Sequence, residues 1–205
     1  MELRLKQLRK YYGRTTAASL SAFSARSGER VFVSGPNGAG KSTLLRMIAG
    51  ICRPDEGDVV LDGADLYRSP ERVRRATLRN IGMLFSETFL YDELSVEENL
   101  RFFAALRRDA REPSALLAEF GLSSTMSKRV RDLSSGMRRK VALIRTFLGS
   151  PALVLLDEPF VHLDDSGSSW VEKQVGETCS RGGIVIVSGH AARDGWTNLA
   201  VPEVK

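Results

Sequence analysis

Between an apolar, β-branched run at residues 31–34 and a helical repeat of Leu44, Met47, Ile48 and Ile51 stand Gly35, Pro36, Asn37, Gly38, Ala39, Gly40, Lys41 and Ser42. The pattern predicts a strand, a glycine loop and a helix in immediate succession. It also spells G-x-x-x-x-G-K-[ST] in the strand-to-helix context that gives this spelling its chemistry. Glycines let successive backbone N–H groups turn inward around phosphate oxygens, and the helix N-terminus behind them adds partial positive charge. Lys41 supplies a full charge to the outer phosphates, the Ser42 hydroxyl can ligate Mg2+, and the nucleotide-binding run extends to Thr43. An ordinary glycine-rich turn has no use for a lysine and a hydroxyl in that order.

The chain has 205 residues, 42% hydrophobic and 27% charged, which suits one compact α/β domain with room for a subdomain. No apolar run approaches the ~20 residues that span a bilayer, and "MELRLKQLRK" has no apolar signal region behind its charges. A soluble, cytoplasmic chain is expected. Cys52 and Cys179 lie far apart without metal-ligand spacing, so each reads as a buried or idle thiol. The net charge of +5 leaves open a nucleic acid, an anionic membrane surface or a nucleotide. Arg68, Arg72, Arg74, Arg75 and Arg79 scatter around a predicted helix within residues 67–80, which favours a solvated face over a polyanion site. No aromatic residues interleave with them to stack bases, so no nucleic-acid partner is expected.

Farther along, residues 59–61 suggest a short edge strand ending in a hairpin turn at Asp62 and Gly63. Ser95 and Glu98 have capping-box spacing ahead of Leu100, Phe103 and Leu106, and helical pattern runs on until Gly149 and Pro151 stop it. "ALVLLDEPF" and "GIVIVSGH" are continuous apolar runs, the pattern of strands buried on both faces of a parallel sheet.

Each of those runs ends in polar residues. A carboxylate at the end of a buried strand is costly unless it serves a cation, so Asp157 reads as a Mg2+ partner, through water. Glu158 beside it can orient or deprotonate an attacking water; a helix-capping acid is the plainer reading of either residue. His190 follows the second run, at the carboxyl ends of the strands where doubly wound sheets bind ligands, and reads as a γ-phosphate contact. "RDLSSGMRRKV" opens a helix with two serines, a glycine and no acid, which leaves an anion-binding N-terminus bare.

In this order (Tyr12, the phosphate loop, "LSSGM", "LLDEP", "HLD" at residues 162–164, then His190) the motifs resemble those of the ATP-binding cassette family, over nearly the whole chain. The resemblance implies a P-loop NTPase fold of the ABC nucleotide-binding type: a parallel-sheet core with an antiparallel β portion at about residues 1–86 and 149–205, and a helical subdomain at about 87–148, in one domain. It implies ATP and Mg2+ as ligands, Glu158 and His190 as catalytic residues, and Tyr12 stacked on adenine, with Tyr11 as the fallback. It also implies that two cassettes pack head to tail as a homodimer. Ser134 and Gly136 of one then touch the γ-phosphate held by the other, and Asp164 communicates between the sites. An integral membrane permease subunit would hold the chain at the inner face of the cell membrane. It would dock near Ser86, where Phe85, Phe89, Leu90 and Tyr91 offer apolar contacts, although those four suit a core equally well.

Ser86 stands where the family has a glutamine that reaches Mg2+ and water, and a serine there would act through a bridging water. Ser135 replaces a glycine and Met137 a glutamine in the signature. The compact form and "ENLRFFAALR" are similar to the ATPase subunit of the cytochrome c maturation haem exporter. The alternatives are another small ABC exporter, or a weakly hydrolysing soluble ABC ATPase acting on nucleic acid.

Overall fold

Leucines alternate with polar residues along β1 (Glu2–Tyr12), but Leu3 and Leu5 are followed by Leu8, a break in the period of two. A bulge absorbs it. Gln7 takes φ 47°, and the register against β4 (Glu56–Leu61) shifts between Lys6 and Arg9. Opposite the bulge, Gly57 approaches so closely that a Cβ would lie 2.2 Å from the Lys6 carbonyl oxygen. β2 (Thr15–Arg26) pairs antiparallel with β1 on its other side, and the two-residue β5 (Ala64–Asp65) closes a sheet of order β2-β1-β4-β5. Asp62 and Gly63, at φ 47° and 79°, make the tight turn that returns β5 onto β4. The strand at 59–61 is therefore interior rather than an edge, because its own hairpin covers it.

The computed structural model describes residues 1–109, 111–161, 163–189 and 194–203. A second sheet is wholly parallel, in the order β6 (Ile81–Leu84), β7 (Leu153–Asp157), β8 (Ile184–Ser188), β3 (Arg30–Ser34) and β9 (Thr197–Ala200). Every residue of β7 and β8 is buried because both faces are covered. Leu153, Leu155, Ile184 and Ile186 face one core with Leu44, Met47 and Ile48 of α1 (Lys41–Ile48) and the leucines of β1. Val154, Leu156, Val185 and Val187 face a second core with α3 (Val96–Arg107), α4 (Pro113–Glu119), α5 (Ser135–Phe147) and α6 (Asp165–Ser180). Each such aliphatic side chain contributes about 1.5–3 kcal/mol by leaving water.

α1 ends at Ile48, so Ile51 lies beyond it and is 46% exposed instead of continuing the apolar face. α2 (Glu71–Arg79) buries none of its residues; on and beside it Arg75 pairs with Glu71 and Arg68 with Asp58, the solvated face that the scattered arginines suggested. α3 opens with both halves of the capping box, Glu98 N–H to Ser95 Oγ at 3.1 Å and Ser95 N–H to Glu98 Oε2 at 2.7 Å. Two guanidiniums anchor the helices to the parallel sheet. Arg107 donates to the carbonyls of Thr146, Leu148 and Ile81, and Arg145 to that of Met83. Burial pushes both down to about 10. Among the described residues no helix is long and apolar enough to cross a membrane.

Candidate functional site

β3 delivers the chain into the phosphate loop, and the loop's shape needs its glycines. Gly40 has φ 91°, and a Cβ there would lie 2.1 Å from the Ala17 carbonyl oxygen; at Gly35 one would lie 2.6 Å from that of Val201. Ala39 is buried, and its N–H reaches the Pro36 carbonyl across a tight turn at 3.2 Å. Lys41, 7% exposed, curls back beneath the loop, where Nζ donates to the carbonyls of Gly35 at 2.8 Å and Pro36 at 3.0 Å. α1 then starts with no side-chain cap and no acid in its first turn, so its N–H groups and Lys41 present one positive end.

That end opens into a cavity of about 720 Å³ lined by Tyr12, Thr15, Thr16, Ala17, Asn37, Gly38, Gly40, Lys41, Ser42, Thr43 and Glu158. Tyr12 stands at its lip, 58% exposed, with its hydroxyl 3.7 Å from Cys52 Sγ and Lys10 Nζ 5.8 Å from its ring centroid. The contact with Cys52, followed by partial burial, pushes the Tyr12 hydroxyl up. Tyr11 is engaged elsewhere, its hydroxyl donating to Glu56 at 2.9 Å.

A second hollow of about 500 Å³ brings Ser42, Ser86, Asp157 and Glu158 together with Thr88, Ser135, Arg138, Arg139 and Val161. Asp157 is buried at the end of β7, and its Oδ1 accepts from Ser188 Oγ at 2.5 Å; the same hydroxyl accepts the Glu158 N–H at 3.1 Å. Glu158 adopts φ 48°, left-handed backbone that a non-glycine residue holds only under constraint. Ser86 is exposed, and its hydroxyl donates to Glu87, which accepts Arg46 Nη2 at 2.7 Å. The donor set suits Mg2+: the Ser42 hydroxyl and the Asp157 carboxylate, both hard oxygens, line one hollow. Among the described residues no group of three or more His, Cys, Asp or Glu is assembled to hold a metal, so phosphate and water would complete the shell.

Ser134 caps α5, its Oγ accepting the Met137 N–H at 3.3 Å, and the first turn contains no acid. Gly136 has open space around its Cα. Neither residue lines the cavity at Lys41. Asp164 caps α6 through the Gly167 N–H at 2.9 Å and accepts Lys140 Nζ at 2.9 Å. The bond from Lys140, helped by the Gly167 N–H, holds its carboxyl at about 2. His190, and His162 of the "HLD" motif, lie outside the described residues. Of the four residues assigned to either docking or core, Phe85 is wholly buried, Leu90 half-buried, and Phe89 and Tyr91 are exposed. Tyr91 packs with Phe102 and Phe103 at 5.3 and 6.0 Å between ring centroids.

Ser188, beside His190 in the sequence, and Arg139 and Lys140 in the signature helix carry no assigned role in the motifs. Ser188 left a trace, a polar residue closing an apolar buried strand; the two cations had none, because basic residues on a helix usually face solvent.

A sequence model of the family described as ABC transporter matches residues 20–161. The cytochrome c biogenesis ATP-binding export protein CcmA of Pseudomonas fluorescens is 39% identical over 166 residues, covering 80% of this chain and 77% of its own length. The lipopolysaccharide export system ATP-binding protein LptB of Haemophilus influenzae is 33% identical over 198 residues, covering 94% of this chain and 81% of its own. A dimeric structure of a bacterial ABC transporter cassette superposes with a TM-score of 0.85 at 24% identity, covering 98% of this chain and 94% of that one, a likeness of fold.

Proposed function

The chain belongs to the ABC transporter family as an ATP-binding, ATP-hydrolysing cassette, and from there we propose that its hydrolysis drives a separate membrane subunit, in a dimer of two such chains. The observation that carries this reading is the convergence of Lys41, Ser42, Asp157 and Glu158 on adjoining hollows at the carboxyl ends of β3 and β7.

The loop N–H groups and Lys41 hold the triphosphate, and Tyr12 stacks on adenine. Ser42, and Asp157 through water, would hold Mg2+, which would supply positive charge to the phosphates. Glu158, which lines both hollows, orients the attacking water and accepts its proton. The work is positioning and charge neutralisation. His190 is assigned to the γ-phosphate. The acid-free N-terminus of α5 at Ser134 and Gly136 faces the nucleotide of the second cassette, so each chain carries half of two sites, and Asp164 is assigned to communication between them.

The exposed rings of Phe89 and Tyr91, which follow Ser86 in the chain, and of Phe102, which packs on Tyr91, are the surface offered to the membrane subunit, which would hold the chain at the cytoplasmic face. The likeness to the cytochrome c biogenesis relative supports an exporter of that kind. A second reading, another small ABC exporter, is supported by the lipopolysaccharide export relative, which matches more of the chain at lower identity.

Glu158→Gln tests the core of the proposal. The variant should bind ATP, lose turnover and accumulate as a dimer on sizing chromatography with Mg-ATP. A monomer throughout, or undiminished turnover, contradicts the role given to Glu158.

A further inference from the structure

We propose that Arg139 is a positioning residue for hydrolysis, one that fixes the backbone of Glu158 and links it to the helix that begins at Ser135. The inference rests on the role given to Glu158 above. Arg139 leaves α5 and reaches the carboxyl ends of two neighbouring strands. Nη1 donates to the Phe85 carbonyl at 2.8 Å, and Nη2 to those of Asp157 at 3.0 Å and Glu158 at 2.8 Å. Phe85, Asp157 and Glu158 lie beyond the last β6–β7 pair, Leu84 with Leu156, so the guanidinium joins the two strand ends where the ladder has stopped. A planar fork can serve three carbonyls at once; a single ammonium cannot hold the same geometry.

The clamp falls on the residue that needs one. Glu158, at φ 48°, is secured on its N–H side by Ser188 Oγ at 3.1 Å and on its carbonyl side by Arg139, with the Val161 N–H a longer second donor at 3.3 Å. The Arg139 Nε is buried without a hydrogen-bond partner, so the side chain is held in this pose even though one of its donors goes unsatisfied. It also lines the hollow shared by Ser42, Ser86 and Glu158.

Arg139 lies about one turn after Ser135, on a continuous helix of 13 residues. A shift of that helix when its acid-free end grips the phosphate of the partner cassette is therefore carried by Arg139 to the Glu158 carbonyl of its own site. Closure at one nucleotide would set the carboxylate at the other.

Arg139→Ala and Arg139→Lys test this in the full chain, with kcat, the Kd of fluorescent ATP, and the Mg-ATP dimer in a Glu158→Gln background as readouts. Positioning predicts kcat down at least about tenfold for the alanine variant, partial recovery with lysine, Kd within about twofold of wild type, and an intact dimer. A role in folding alone would lower Kd-measured affinity and kcat together, with no recovery by lysine, and that result overturns the proposal. So does wild-type kcat in Arg139→Ala. Should the alanine variant not fold, Arg139→Lys decides: reduced kcat at unchanged Kd supports positioning, and wild-type kcat refutes it. Undiminished turnover in Glu158→Gln alone would instead remove the reading on which the inference rests, so the two failures are distinguishable.

Discussion

The Ser188 hydroxyl donates to Asp157 Oδ1 at 2.5 Å across two parallel strands while accepting the backbone N–H of Glu158 at 3.1 Å. One side chain thus orients the carboxylate assigned to Mg2+ and secures the strained residue beside it. Ser188→Ala strands both groups in a buried setting. It should lower stability by about 1–3 kcal/mol, the range for a buried polar group left without its partner. It should also lower kcat by about tenfold. Thermal unfolding and steady-state ATPase assays check the two effects separately, and wild-type kcat would show that Asp157 and Glu158 hold their positions without Ser188.

Lys41→Ala should raise the Kd for ATP at least about tenfold, since a buried ammonium facing phosphate contributes a charge-assisted contact. The carbonyls of Gly35 and Pro36 lose their donor in the same variant. Fluorescent-nucleotide titration gives the answer, and unchanged affinity would mean that the backbone N–H groups alone carry the phosphates.

Ser86→Gln should raise the ATPase rate. The serine hydroxyl is spent on Glu87 at 3.0 Å, whereas a longer amide could reach the hollow shared with Ser42 and Glu158. An equal or lower rate would dispose of the idea that the short side chain slows turnover.

Acid should weaken the contact between the end of α3 and the end of α5. Burial alone pushes the Asp109 carboxyl up, but hydrogen bonds from Arg111 and from the Gly149 N–H outweigh it and hold the group at about 2. The unfolded value is about 3.9. A depressed carboxyl contributes stability that is complete above about pH 4 and is lost as pH falls through about 2. Near the surface the contribution is on the order of 1 kcal/mol. Urea unfolding at stepped pH should therefore show Asp109→Asn less stable than wild type at neutral pH, with the gap closing toward pH 2. A gap that stays constant with pH would assign the loss to packing.

The phosphate loop was legible because its chemistry is local: consecutive residues form it, and Gly35, Gly40, Lys41 and Ser42 are prescribed by the strand-to-helix turn they make. The two buried strands were legible for a related reason, since burial on both faces removes alternation and leaves the runs at 153–156 and 184–187. The capping box at Ser95 and Glu98 needs only three residues of separation.

Contacts across the chain follow no such spacing. That β4 is interior depends on β1 and β5 flanking it, and the rejection of Ile51 from the apolar face depends on where α1 stops. Periodicity sees neither. Whether Phe85 or Phe89 is core depends on which side of the chain the helices cover, and the two residues are close in sequence yet opposite in exposure.

The residues of the nucleotide loop, the acidic pair closing a buried strand and the acid-free first turn of α5 were thus written in short-range patterns, because each serves needs of its own segment. That Arg139 and Ser188 hold Glu158 in left-handed backbone, and that Lys140 holds Asp164, came from folding alone. Their partners lie 19 to 30 positions away in the chain, and such distances close only when strands and helices pack and burial leaves each polar group a single place to bond.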